Sequence, residues 1–552
     1  MASDVQTSGA NRAAGGGWVF GGTVPSTELI IFSAILIAYL VCEVLIYRIH
    51  VSPLVSAETD GILYYIPWSR ASLFQIEPFH GPGYAAAIKL VSLFQHDPFA
   101  AAKLVSILAG GMFLVSAWFL IRSIGTLAQS VCATTLLALS PVVLQYSNMI
   151  MSDMLAASLF LNGCALLIVP ARPRRINWLI AGCCCGGAYL TRYPYITALV
   201  LPPLALLLYA DAQPRRRKIR RALLFYGGFL CVALPWMCWL YQQKGNPFWS
   251  ENYLNVAFNL HGYEGGWNNF PTSEQFKGMG DVVARDPLLF ARSWIRTAFV
   301  DIPRTLCNLI PGTGPGIVLC GILVFLLNMS RRRAVLVGVV CSYWCALAVV
   351  WVDDRYLLPI VPIICFAVTD MVFAISVRLE KLPILSRRGL PVGIFIVLPL
   401  LVVEGAHCRP GQFAHLFSGM APEYQTAARW IAGEHRPNTT VMAAKPLIPY
   451  LSGTKYINFR ALGVQRATLG DFGRIVQEAQ PTFVVFDEIY GSVQFPLLRP
   501  LLDPSIQTPV GNLRPVFTVD SPRRLVVYEF IGNRGIAPAI APASMFDWEP
   551  KS

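Results

Sequence analysis

Apolar runs close to 20 residues long recur along this chain from residue 28 to residue 404. That is the length a helix needs to cross the hydrocarbon core of a bilayer, about 20 residues. Eleven segments have this character: 28–47, 101–121, 127–146, 154–170, 177–191, 195–210, 222–241, 315–329, 334–351, 357–377 and 390–404. A backbone in lipid must satisfy its own hydrogen bonds, so each segment predicts a membrane-spanning helix. Composition agrees. The 552 residues are 55% hydrophobic and 14% charged, where a soluble protein carries about 25% charge. Disordered chains, fibrous chains and ordinary soluble enzymes are excluded. The net charge of +13 would suit nucleic acid, but the basic residues cluster in short runs between apolar segments, as loop charges do.

Those runs set an orientation. With the N-terminus inside, the inner loops hold Arg172, Arg174 and Arg175, then Arg215, Arg216, Arg217, Lys218, Arg220 and Arg221. The later inner loops hold Arg331, Arg332 and Arg333, then Arg378, Lys381, Arg387 and Arg388. Every dense basic cluster falls on one side, as the positive-inside rule requires. A multi-pass plasma-membrane protein with its N-terminus cytoplasmic is expected. Residues 1–27 are Gly/Ala/Ser-rich without an apolar core and read as a disordered cytoplasmic tail. Of the 14 cysteines, all but Cys307 and Cys408 lie in apolar segments, where cysteine acts as a small hydrophobe.

Three long segments then lie outside: loops 48–100 and 242–314, and the tail 405–552. The tail alternates helical and strand patterns. Ala421–His435 and Leu469–Ala479 read as helices; Thr440–Ala444, Thr482–Asp487 and Leu525–Phe530 read as strands. The fold class is therefore a polytopic α-helical membrane protein, 28–404, with a C-terminal extracytoplasmic α/β domain whose sheet is expected to be mostly parallel. No GxGxxG or Walker pattern offers a nucleotide site.

The first outer loop carries the candidate chemistry. Glu58 and Asp60 follow the first span, and Tyr64 lies four residues after Asp60, on the same face of a short helix. A carboxylate there can be a general base, a metal ligand with Glu58, or simply a helix cap. His80-Gly-Pro-Gly-Tyr84 is a rigid turn whose histidine could orient substrate. Asp153 opens a later span, as an N-cap, a cavity group or both. Lys103, Arg192 and Arg355 stand at outer span ends, against the general cytoplasmic bias. Snorkelling accounts for such cations; a phosphate-bearing lipid would also use them.

Together these elements resemble the GT-C membrane glycosyltransferases, and within them the bacterial enzymes similar to protein O-mannosyltransferases and aminoarabinose transferases. The residues that carry the resemblance are Asp60 after the first span, Tyr64, His80-Gly-Pro-Gly-Tyr84, Asp153, Thr191-Arg192 and the run from Arg355 to Pro362. The resemblance implies transfer of a sugar from a polyprenyl-phosphate-linked donor to a glycan, lipid or protein acceptor at the outer face, with inversion. It implies Asp60 as general base, Arg355 and Tyr356 on the lipid phosphate, Lys103 and Arg192 beside them, and Asp153 on the acceptor or metal side. A divalent cation, Mg or Mn, is left open. In the family a second acid often follows the first directly; here Gly61 follows Asp60, and the second acid, Glu58, is upstream. Three rivals remain: a lipid flippase or transporter, a surface-polysaccharide polymerase or ligase, and a non-catalytic assembly protein. A transporter would want charge near the bilayer midplane, and the sequence is read as lacking it.

Overall fold

The computed structural model describes residues 26–49, 60–75, 79–170, 173–208, 214–261, 271, 275–309, 314–350, 352–379, 422–434, 438–459, 468–488, 490–505, 512–532 and 545–546. The first ten expected spans are helical. They are α1 (Ser26–Ile49), α2 (Pro98–Ile124), α3 (Leu127–Ala138) with α4 (Pro141–Asn148), α5 (Ser152–Ile168), α6 (Arg175–Thr191), a stretch over Tyr193–Val200 and Leu201–Leu207, α7 (Arg215–Lys244), α8 (Gly314–Leu327), α9 (Arg331–Leu347) and α10 (Val361–Leu379). The eleventh segment, 390–404, lies outside the described residues. By length and composition alone, four described helices qualify as spans, or five with the bent pair. The others are shorter, and proline accounts for the sharpest break. Pro141 cannot donate into the preceding turn, and α3 and α4 meet at 54° there.

Helix pairing follows the small residues. A Cβ on Gly182 would sit 2.0 Å from the Phe225 carbonyl oxygen, and one on Gly228 2.2 Å from that of Leu179. Only glycine at both positions lets α6 and α7 approach so closely. The basic loops gather at one end. Arg332 donates to Ser123 and Val169 carbonyls at 3.0 and 3.2 Å, and Arg221 to the Pro173 carbonyl at 3.2 Å. Glu28 pairs with Arg122 at 3.1 Å, and buried Arg333 with Asp370 at 2.7 Å. Some of the arginines counted as loop charges are therefore also helix ties.

The expected lack of charge inside the membrane domain is corrected. Glu43 and Lys103 are both fully buried. Glu43 lies six residues from the end of α1 and Lys103 five from the start of α2, about 9 and 7.5 Å at the helical rise.

Among the described residues the tail forms a six-stranded sheet in the order β4-β5-β3-β1-β2-β6. The strands are β1 (Thr440–Ala443), β2 (Lys455–Asn458), β3 (Phe483–Asp487), β4 (Leu513–Val519), β5 (Leu525–Phe530) and β6 (Met545–Phe546). Only the central β3-β1-β2 pairings are parallel; β4, β5 and β6 run antiparallel to their neighbours. The sheet is mixed rather than mostly parallel because β4 turns back through a short connection into β5, which then lies antiparallel against β3. Helices Pro422–Gly433 and Leu447–Ser452 pack on one face, Leu469–Ala479 on the other. The tail touches the segment between α1 and α2 and the start of α2: Tyr64 packs on its core, and the Tyr450 and Phe99 rings lie tilted with centroids 6.3 Å apart.

Candidate active site

At the end of the helices opposite the basic loops, four chain segments converge. The first begins at Asp60. Its backbone is helical at φ −64° and ψ −35°, and its side chain makes no capping hydrogen bond to the turn it precedes. A cap holds an extended conformation and accepts from the following amides, so the capping reading fails for Asp60. The turn, Gly61–Tyr65, is a π-helix, a form common at functional sites. With more residues per turn, it separates the two neighbouring tyrosines. Tyr65, not Tyr64, is buried, donates to Ser152 Oγ at 2.9 Å and lies 3.4 Å from His80 Nδ1. Burial pushes the Tyr65 hydroxyl above its usual range, and the Asp60 charge adds to that. Tyr64 instead packs its ring against Trp68 and His80 and reaches the tail.

The second segment is the His80-Gly-Pro-Gly-Tyr84 turn. It is pressed against the end of α6. A Cβ on Gly81 would lie 1.9 Å from the Leu190 carbonyl oxygen, and one on Gly83 2.5 Å from Thr191 Oγ1. Tyr193 adds a hydrogen bond to the His80 carbonyl at 3.3 Å. The turn thus sets His80 beside Arg192. Burial lowers the imidazole to about 4; Asp60 pulls the other way, and Arg192 and Arg355 lower it further. His80 is neutral at pH 7. Tyr84 is fully buried, and its hydroxyl is used on Ser106 Oγ at 2.6 Å and the Ala102 carbonyl at 3.1 Å. It props up Tyr65, edge to face at 5.0 Å.

The third and fourth segments bring the charges. Asp153, in the first turn of α5, pairs with Arg192 through Oδ1 at 2.5 Å. Its Oδ2 is buried and makes no hydrogen bond among the described residues. Arg355 stands in the short turn Asp354–Leu357, with Nε 3.3 Å from Asp353 Oδ2 and Nη2 3.2 Å from Tyr356 Oη. The Arg192 and Arg355 guanidinium carbons lie 4.8 and 5.0 Å from the Tyr356 ring centroid, within cation–π range. Burial works against both charges, but Asp153 and then Tyr356 outweigh it and raise both arginines above their usual range. Asp60 contributes to the same effect at Arg355.

The structure thus brings together Asp60, His80, Asp153, Arg192, Arg355 and Tyr356. Lys103 is elsewhere, buried against the Asn148 carbonyl with Glu43 near it. Glu58 lies outside the described residues. Residues that the sequence reading missed are Tyr65, Ser152, Asp353 and Met151, whose sulfur lies 3.5 Å from Arg355 Nη1. The Tyr64-Tyr65 doublet was the available signal, but choosing between the two needs the π turn. Among the described residues no three His, Cys, Asp or Glu side chains are grouped to hold a metal ion.

Residues 79–240 match the family model described as dolichyl-phosphate-mannose-protein mannosyltransferase. Comparison with curated proteins by sequence returned no match. Among solved structures, ArnT from Cupriavidus metallidurans bound to undecaprenyl phosphate is similar, with a TM-score of 0.53 and 14% identity over 91% of this chain and 98% of that one. The archaeal oligosaccharyltransferase AglB from Archaeoglobus fulgidus, in complex with an inhibitory peptide and a dolichol-phosphate, gives 0.51 and 12% over 84% and 70%. At these identities the likeness is one of fold, and it spans both the helical part and the tail. This chain is a multi-pass membrane protein with the GT-C fold.

Proposed function

We propose that this chain is a glycosyltransferase that moves a sugar from a polyprenyl-phosphate-linked donor to an acceptor at the extracytoplasmic face, with inversion. Asp60 is the general base. It takes the proton of the acceptor hydroxyl as that oxygen bonds to the anomeric carbon. The bond from that carbon to the phosphate oxygen breaks, and its electron pair leaves with the phosphate. Attack opposite the leaving group inverts the centre. Arg355 and Arg192 stabilise the departing phosphate, a role that fits fixed guanidiniums near developing negative charge. Arg192 gives only Nη1 to Asp153, and a guanidinium has five N–H donors. Asp153 holds Arg192 in place, and neutral His80 offers a hydrogen bond to the sugar or the acceptor.

The observation that carries this reading is Asp60 itself: a carboxylate at the mouth of the arginine pair, half-buried and making no cap. The matched family and the solved neighbours that bind lipid phosphates support the donor class. A divalent cation belongs to the proposal only as an open requirement, and no step is routed through one. A transporter reading could use the buried Glu43 and Lys103. Both are fully buried and bonded to Asn148, however, so they line no path.

The test is turnover by purified protein in nanodiscs with a panel of polyprenyl-phosphate sugars, wild type beside Asp60→Asn. Donor consumption that disappears in the variant supports the reading. Undiminished consumption by Asp60→Asn rejects the base.

A further inference from the structure

The outer segment between α7 and α8 holds a rod of helix: Pro287–Arg296, a π turn over Thr297–Asp301, then Ile302–Asn308. The backbone stays helical across both junctions, so the rod is continuous. One face, Leu289, Arg292, Ser293, Arg296, Thr297, Asp301, Arg304 and Thr305, lines a cavity of about 540 Å³. The steps of three and four are those of a single helix face. Asn259, Leu260 and Val352 supply the opposite wall. Val352 is three residues from Arg355, so the cavity neighbours the candidate active site but does not include it.

Its charge is lopsided. Three arginines face it against one carboxylate, Asp301, which pairs with Arg296 at 3.7 Å with the arginine 74% exposed. Such a pair is weak. Arg292 and Arg304 have no carboxylate partner among the described residues. Ser293 and Thr297 add hydroxyls. The adjoining face of the rod is apolar and open: Leu288 and Phe299 are each 71% exposed and Ile295 54%. In a membrane protein an amphipathic helix of this kind lies at the lipid interface.

We propose that this cavity is a second anion site, holding the phosphate of a membrane-embedded amphiphile whose acyl part lies along Leu288, Ile295 and Phe299. Arginine forks match phosphate oxygens in pairs. The volume falls in the range of ligand sites, about 300–1,000 Å³, and exceeds what a bare phosphate needs. The site is separate from the Arg192 and Arg355 pair, and the inference does not depend on glycosyl transfer.

The experiment reads binding, not turnover. Full-length protein in phosphatidylcholine nanodiscs containing phosphatidylglycerol is transferred to detergent, and retained lipid is counted by native mass spectrometry. The double variant R292Q/R304Q retains phosphatidylglycerol about tenfold more weakly than wild type, with an unchanged melting temperature, while Arg355→Gln retains it as wild type does. Ser293→Trp fills the cavity without removing charge and has the same effect as the double variant. Release of the lipid by millimolar inorganic phosphate shows that the phosphate group alone is recognised; no release, with loss in both cavity variants, shows that the whole lipid is. Retention unchanged in both cavity variants, or lost in Arg355→Gln instead, overturns the site.

Discussion

Glu43 and Lys103 grip Asn148 from two helices. Glu43 Oε2 accepts from Asn148 Nδ2, and Lys103 Nζ donates to the Asn148 carbonyl. Ser106 Oγ reaches the next carbonyl, Met149, at 2.7 Å, and Tyr39 shares a 2.6 Å bond with Ser147. The turn from 147 to 149 is thus tied to α1 and α2 just before it delivers Met151, Ser152 and Asp153 to the arginines. Glu43 and Lys103 attract each other across Asn148 while both are buried, and leaving one of two coupled buried charges alone typically costs about 3–5 kcal/mol. Lys103→Met should therefore lower stability by that order, and adding Glu43→Gln should recover much of it. Thermal unfolding in detergent of the single and double variants checks this. Equal stability of the two would show that Glu43 and Lys103 are not coupled.

Asp60→Asn should behave in the opposite way. The carboxylate caps no helix, so its loss leaves stability within about 0.5 kcal/mol, as for other substitutions away from structural features. Transfer should fall by about 10²–10⁴, the usual contribution of a positioned base. Unfolding curves and single-turnover rates on the same preparation separate the two effects. A large stability loss would make Asp60 a structural residue.

Asp153 is 2% exposed and its partner's side chain 22%. Asp153→Asn strands the Arg192 charge, so a stability loss of about 3 kcal/mol is expected alongside weaker donor binding. Arg355→Ala should raise the KM for donor more than that for acceptor, because phosphate is its proposed partner. An equal rise for both substrates would sink that role.

Much of this was legible in the sequence, and what was not has a common cause. The helices were readable because apolar length is a local property: the first ten expected segments are helical. Asp60, His80, Asp153, Arg192 and Arg355 were readable because polar residues are rare near membrane segments and were each chosen by type and place. Tyr65 was not, because α-helical spacing selects Tyr64, and the π turn that sets Tyr65 beside His80 and Ser152 is fixed by packing. Lys103 was read as an outer cation because sequence gives position along a helix but not which face is buried. The antiparallel edges of the tail sheet were hidden for a similar reason: strand patterns carry no direction.

His80 supplies a pH prediction. Its folded value is lowered to about 4 from the usual 6.5, first by burial. The folded protein therefore binds fewer protons here than the unfolded chain. Stability from this group is complete above pH 6.5 and is lost as pH falls toward 4. Between pH 7 and pH 5, wild type should lose more thermal stability than His80→Gln, which has no proton to take up. Parallel pH dependence in the two would show that His80 titrates as an ordinary histidine.

Gly61 explains why a second acid does not follow Asp60. A Cβ at this position would meet Ile150 Cγ2 at 2.9 Å and the Ile150 carbonyl oxygen at 3.0 Å. Ile150 is itself fully buried, so the side chain has little room to give. Gly61→Ala should push the π turn outward, moving Asp60 and Tyr65 together. The cost is of the overpacking kind, about 1–3 kcal/mol. Activity should fall more steeply than stability, because a small displacement of a positioned base lowers rate strongly. Ile150→Ala removes the Cγ2 contact but keeps the Cβ and carbonyl contacts at 3.0 Å, so the double variant should regain activity only in part. Comparing transfer rates of Gly61→Ala with and without Ile150→Ala decides it. No recovery would mean that the Ile150 backbone and Cβ, rather than the rest of its side chain, set the position of Asp60.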